Sequence, residues 1–231
     1  MDWLTLPRTP EPEVMESAEE AEVYASAAAE RYLDAIDNTL VDMIARLGAT
    51  SGRLLDVGCG PGNIALKLAR RFPQMWVVGV DYAASMVLAA SAAASAQGLS
   101  ARAEFFLGDA KNLPFRDASF DWVLSNSVLH HLYDPMALLN EMGRVVKPRG
   151  VALLRDLRRP GRLAFPLHVR WYGRHYSGLM KTLYTDSVRA AYTGEELARM
   201  LRDSRLSAAR IYYHERTHLG FVYDGRERGV S

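Results

Sequence analysis

Between Leu55 and Asn63 the chain reads LDVGCGPGN, an apolar segment running into three glycines at alternate positions, Gly58, Gly60 and Gly62. Glycines so placed let a backbone turn sharply and let a ligand approach where a Cβ would stand. Asp56 precedes the first of them by two residues, which an ordinary strand-to-helix turn does not require. The dinucleotide fingerprint G-x-G-x-x-G/A needs a third small residue for close helix packing, and Asn63 fills that place here. No phosphate-binding G-x-x-x-x-G-K-[ST] is present either, so the loop suits a nucleoside better than a pyrophosphate. Asp81 closes the apolar segment VVGVD at the distance where a carboxylate can accept from a ribose diol, although it would also serve as a helix N-cap. Asp109 follows AEFFLG and can accept from an exocyclic adenine amine, with the Ala110 N–H offered to a ring nitrogen; a plain turn aspartate is the other reading.

A second group of residues could move protons or hold anions. His130 is the candidate general base, with His131 behind it, since an unperturbed imidazole titrates near ~6.5. A base is needed only where the acceptor atom must shed a proton, and either ring could instead bond to nearby backbone. No histidine pair has carboxylate company at zinc-ligand spacing, so no metal is expected. Residues 158–192 collect Arg158, Arg159, Arg162, Arg170, Arg174, Lys181 and Arg189, interleaved with Trp171, Tyr172, Tyr176 and Tyr184. They could form an anion pocket, with Arg158, Arg170 and Tyr176 as substrate contacts, or be solvated and paired with Asp156, Asp186 and Glu195. Stacking on unpaired bases is a third use of such a mixture.

These residues need elements to position them. Residues 16–47 read as a helix stopped by Gly48. Short apolar strands at 53–57, 76–80, 103–107, 121–125 and 151–155 then alternate with helices at 62–72, 84–97 and 135–146. Strands apolar on both faces, separated by helices, predict a parallel sheet covered on both sides. Residues 158–192 show no clear period. A helix at 194–203 follows, with Thr193 and Glu196 spaced as a capping box, and strands near 207–213 and 216–223 predict an antiparallel hairpin.

The chain has 231 residues, 49% hydrophobic and 24% charged, enough for one domain with a sizeable core. A formal net charge of +1 argues against a general affinity for nucleic acid or anionic membrane. The single cysteine, Cys59, excludes an internal disulfide framework and suits a reducing compartment. With no signal-like start and no apolar run of ~20 residues, a cytoplasmic protein without a membrane partner is expected. Only the first 13 residues read as loose.

LDVGCGPGN, VVGVDYAASM, GDAKNLPF, DASFDWVLSNSVLHHL and VKPRG, in this order and spacing, resemble the class I S-adenosylmethionine-dependent methyltransferases over about residues 50–155. The resemblance implies a Rossmann-like seven-stranded sheet of order 3-2-1-4-5-7-6, with strand 7 antiparallel, helices on both faces and a small helical cap. It implies that Asp56, Gly58, Gly60 and Gly62 hold the methionine part of S-adenosylmethionine, with Cys59 and Asn63 in the same loop. Asp81 would bind the ribose, Tyr82 and Met86 border the adenine, and Asp109 and Ala110 read its edge. Ser125 and Asn126 would face the methionine end. Arg149 departs from the common Lys-Pro-Gly-Gly turn, which touches no cofactor residue. SNSVLHHL, in place of Asn-Pro-Pro-Tyr, points to the small-molecule branch that includes quinone C-methyltransferases. The expected activity is therefore methyl transfer to a small molecule, an anionic one if the basic segment forms a pocket. An RNA or protein methyltransferase and a non-catalytic S-adenosylmethionine-binding module are the alternatives. Residues 1–48 are expected to form a helical lid with Tyr24 near the methionine end, and 49–231 the catalytic domain with an acceptor cap at 158–192.

Overall fold

The computed structural model of the protein describes residues 3–11 and 31–229. After helix α1 (Arg31–Arg46) come β1 (Ser51–Val57), α2 (Asn63–Arg71), β2 (Gln74–Asp81), α3 (Ala84–Ala96) and β3 (Ala103–Leu107). The chain continues through β4 (Phe120–Asn126), α4 (Pro135–Val145), β5 (Val146–Leu157), α5 (Phe165–Tyr172), α6 (Gly178–Ala190) and α7 (Gly194–Arg202). It closes with β6 (Arg210–His214) and β7 (His218–Asp224). The strands form a seven-stranded sheet in the order β3-β2-β1-β4-β5-β7-β6. Pairing is parallel from β3 to β5, and β7 runs antiparallel to both β5 and β6.

Alternation along the strands builds a core on each side of the sheet. Leu55 and Val57 of β1 pack with Leu138, Leu139 and Met142 of α4 and Leu197 and Leu201 of α7 on one face. Leu54 turns to the other face, among Leu40 and Ile44 of α1 and Ala65 and Leu68 of α2. Both faces are apolar because both are covered, which the sequence pattern anticipated. The capping box forms as expected: the Glu196 N–H donates to Thr193 Oγ1, and the Thr193 N–H to the Glu196 carboxylate.

Three expectations change. The described part of the expected lid, α1, contributes Leu40, Val41 and Ile44 to the core, so it closes the sheet as well as flanking it. Residues 12–30, including Tyr24, lie outside the described residues. The segment 158–192, without legible period, contains α5 and α6, helices with few buried apolar positions. Residues 3–11, which read as loose, are tied down by side chains from elsewhere. Arg8 donates from Nε to Ala190 O at 2.6 Å and from an Nη to His130 O at 2.9 Å, and its guanidinium lies over the Tyr192 ring. Arg159 donates to Leu6 O, and the Arg162 N–H to Leu4 O. This strap joins the segment 158–192 to the turn after β4.

Candidate active site

A cleft opens at the carboxyl ends of β1, β2 and β4, the side on which open α/β sheets receive ligands. Its lining includes Gly58, Gly60, Asp81, Tyr82 and Met86, together with Asp109, Ala110, Asn126, Val128, His131 and Leu132. The glycine loop is held by the neighbouring strand. Asp81 accepts the Gly60 N–H at 2.8 Å through one oxygen and the Ala83 N–H at 2.9 Å through the other, at the start of α3. Asp81 thus braces the glycine loop and the turn into α3, whose N-cap position is Ala83 and not Asp81, and its carboxylate keeps further lone pairs.

The glycines serve different ends. A Cβ on Gly58 would lie 2.2 Å from Val128 Cγ2, so that glycine lets the loop pass beneath the turn after β4. A Cβ on Gly60 would meet nothing within 4 Å; its φ is +51°, and it faces the open cleft.

Five expected cofactor residues stand back from the lining. Asp56 is buried behind the loop, and Cys59 packs its thiol against Gly79. Gly62 and Asn63 begin α2. Ser125 is buried, its hydroxyl donating to Val57 O at 3.0 Å, so it braces β1 against β4. Burial pushes the Asp56 carboxyl up to about 7, with the Asp37 and Asp81 carboxylates adding to it, and its Oδ2 has no hydrogen-bond partner. Burial also raises the Cys59 thiol well above its ordinary value, which fits a packing residue and not a nucleophile.

His130 does not line the cleft. Its side chain is 3% exposed, with Nδ1 2.5 Å from Asp156 Oδ1 and Nε2 3.4 Å from Glu11 Oε1. Burial opposes its charge, but the Asp156 and Glu11 carboxylates outweigh that and hold its pKa above the ordinary value. The histidine at the cleft surface is His131, whose Nδ1 lies 2.8 Å from the same Glu11 oxygen. The carboxylate company that sequence spacing denied these histidines comes from the far amino-terminal strap and from β5.

Of the substrate candidates, Arg170 is exposed, Arg158 lies over the Tyr213 ring and Tyr176 stacks near Tyr184. Arg159 is not free to bind a ligand: it is buried and paired with Glu196 at 2.5 Å. Sequence reasoning missed Arg155, buried on β5, which donates from Nε to Asn126 Oδ1 at 2.7 Å and from Nη1 to Ile36 O at 2.9 Å. It fixes Asn126 at the cleft wall and ties β5 to α1. Ser127, also on the wall, has a left-handed backbone with φ 57° that a sequence does not advertise.

Sheet order, cleft position and glycine-loop geometry together define a Rossmann-like nucleoside-binding methyltransferase fold. Residues 55–154 match the family described as methyltransferase domain. A demethylmenaquinone methyltransferase of Deinococcus radiodurans is 36% identical over 65% of this chain and 66% of that protein. One of Geobacillus kaustophilus is 31% identical over 71% of this chain and 74% of that protein. A solved Methanococcus maripaludis structure, described within the S-adenosyl-L-methionine-dependent methyltransferases, superimposes with a TM-score of 0.70 over 94% of this chain and 96% of that one, at 16% identity, and so matches the fold. The chain spans just under two thirds of the Deinococcus relative, and 31–39% of the length of relatives matched over shorter stretches. The chain belongs to the class I S-adenosylmethionine-dependent methyltransferases, whose cofactor is S-adenosylmethionine. Among the described residues no helix is long and apolar enough to cross a membrane.

Proposed function

We propose that the protein transfers the methyl group of S-adenosylmethionine to a small hydroxylated acceptor of the quinol class. The observation that carries this reading is the make-up of the cleft, which Asp81 and the open face of Gly60 line together with His131 and Leu132. Two relatives named for demethylmenaquinone support the acceptor class.

The residues fit the cofactor. The space above Gly60 admits a ligand, and Asp56 Oδ2, buried behind the loop without a hydrogen-bond partner, is a polar atom left over beside it. In this reading Asp81 holds the ribose, Tyr82 and Met86 flank the adenine, Asp109 and the Ala110 N–H read its edge, and Asn126 faces the methionine end. Asp56, Cys59, Gly62, Asn63 and Ser125 shape the loop from behind. The cofactor supplies an electrophilic sulfonium methyl. The chain holds the acceptor in line with it and keeps water out, which is where most of the rate gain in such a displacement arises. The strap and α6, joined through Arg8 and Ser187, cover the acceptor end. Arg158, Arg170 and Tyr176 stand outside the cleft lining, where they would meet only an anionic substituent carried beyond the quinol ring. A single buried cysteine suits the cytoplasm.

The test is an assay of S-adenosylhomocysteine release with a demethylated naphthoquinol, an RNA mixture and a protein mixture as separate acceptors. Turnover with the quinol supports the reading. Turnover confined to RNA or protein, or cofactor binding without turnover on any acceptor, contradicts it.

A further inference from the structure

We propose that Glu11, His130 and His131 form a binding site for a zinc-class divalent cation at the acceptor end of the cleft. Three ligand atoms of suitable type converge there: His130 Nε2, His131 Nδ1 and a Glu11 carboxylate oxygen lie within 4.8 Å of one another. Two imidazoles and one carboxylate with a remaining open position make the donor set of many catalytic zinc centres.

The His131–Glu11 contact is a hydrogen bond, and the longer His130–Glu11 spacing leaves room for an ion between the three groups. His130 Nε2 lies 3.4 Å from Glu11 Oε1, beyond the roughly 2.7–2.9 Å of a charge-assisted hydrogen bond. Ligands about 2.0–2.1 Å from a tetrahedral zinc stand roughly 3.3 Å apart, close to that separation. His131 Nδ1 at 2.8 Å from the same oxygen needs only a small opening.

The surroundings are those of a built site. Asp156 lies 2.5 Å from the other nitrogen of His130, and its second oxygen accepts the Leu129 N–H at 2.7 Å. A carboxylate fixed by backbone and bonded to the far nitrogen of a ligating histidine orients the ring and leaves Nε2 to the ion. Glu11 is steadied by Ser187, whose hydroxyl donates to its carboxylate. Side-chain exposures of 3% for His130 and 11% for Glu11 keep solvent from competing.

Because His131 lines the cleft, the open position faces the acceptor space. What it receives there rests on the function proposed above. The hydroxyl oxygen of a quinol would bind, its O–H proton passing to solvent, and the metal-held oxyanion would push electron density onto the ring carbon that takes the methyl group, S-adenosylhomocysteine leaving and the ring proton passing to solvent. The ring would thereby be oriented and made electron-rich by the protein's own ion.

The experiment uses the full chain, stripped with chelator, re-equilibrated with zinc chloride and desalted, with metal counted by plasma mass spectrometry. Wild type is expected to keep about one zinc per chain, and Glu11→Gln and His131→Gln each to bind it about 10–100-fold more weakly. Circular dichroism identifies a variant that fails to fold. Cobalt(II) on wild type alone gives a readout independent of either variant, the strong visible bands of a low-coordinate, imidazole-ligated site. Wild type that retains no zinc and gives no such cobalt spectrum overturns the proposal, as does equal zinc affinity in wild type and both folded variants. S-adenosylmethionine binding by wild type, measured alongside, reports separately on the methyltransferase cleft.

Discussion

Asp81 accepts the Gly60 N–H at 2.8 Å, so the last residue of β2 sets the conformation of the loop that leaves β1. The carboxylate proposed to hold the ribose is therefore also the brace of the wall beside it. Loop and ligand contact are built as one unit, and this coupling explains why two parallel neighbouring strands carry the site.

Gly58 and Gly60 should separate stability from binding. Gly58→Ala drives a Cβ to 2.2 Å from Val128 Cγ2 at a left-handed φ of +73°. Overpacking of that kind costs about 1–3 kcal/mol, and thermal unfolding should register it. Gly60→Ala meets no protein atom and costs only the left-handed backbone strain, about 1–2 kcal/mol. Its cofactor affinity, by calorimetry, should fall by about tenfold or more, equivalent to ~1.4 kcal/mol. Equal effects on both quantities in the two variants would contradict this division.

Asp56 should leave a signature in the pH dependence of stability. Its carboxyl is raised from 3.8 to about 7 in the folded state. Between about pH 4 and 7 the folded protein holds a proton that the unfolded chain has released, so stability from this group is lost as pH rises through that window. Asp56→Asn cannot titrate. The urea midpoint of wild type relative to Asp56→Asn should fall between about pH 5 and 7.5. A constant difference across that range would show that Asp56 ionises normally.

Helix α1 should prove structural. Ile44 is 2% exposed within the core cluster, and a buried Ile→Ala change costs about 2–5 kcal/mol. Denaturant unfolding of Ile44→Ala should show a loss in that range, with cofactor affinity of the folded protein little changed. A loss below about 0.5 kcal/mol, the scale of surface substitutions, would return α1 to the role of a detachable lid.

The arginines of the cap should divide by burial. Arg158→Met and Arg170→Met are expected to lower turnover of anionic acceptors while S-adenosylmethionine affinity stays near wild type. Arg159→Met removes a buried partner of Glu196 and of two backbone carbonyls, and should instead cost about 1–3 kcal/mol of stability. A panel of anionic and neutral acceptors decides the first point. Unchanged activity in both variants removes the anion pocket.

The parallel part of the sheet was legible because β1, β2, β4 and β5 are short apolar runs set between helices, and the closing hairpin because β6 and β7 follow one another with no helix between. The lining residues near the glycine loop were legible for a related reason: Gly58, Gly60, Asp81 and Asp109 lie at or just beyond strand ends, where spacing along the chain tracks position in space. Ser125 and Asn126 show the limit, since one is buried against Val57 and its neighbour lines the cleft, an alternation that a motif does not resolve. The cap was illegible because α5 and α6 rest on few buried side chains. Glu11 and Arg155 were invisible because their partners lie far along the chain and meet only when the sheet closes.

Calorimetric titration of S-adenosylmethionine into wild type and Asp81→Ala tests the central claim most directly. Wild type should bind one cofactor per chain, and the variant, deprived of one or two charge-assisted hydrogen bonds worth about 1.5–3 kcal/mol each, should bind at least about tenfold more weakly. No binding by folded wild type, or equal affinity in the two proteins, would contradict the account.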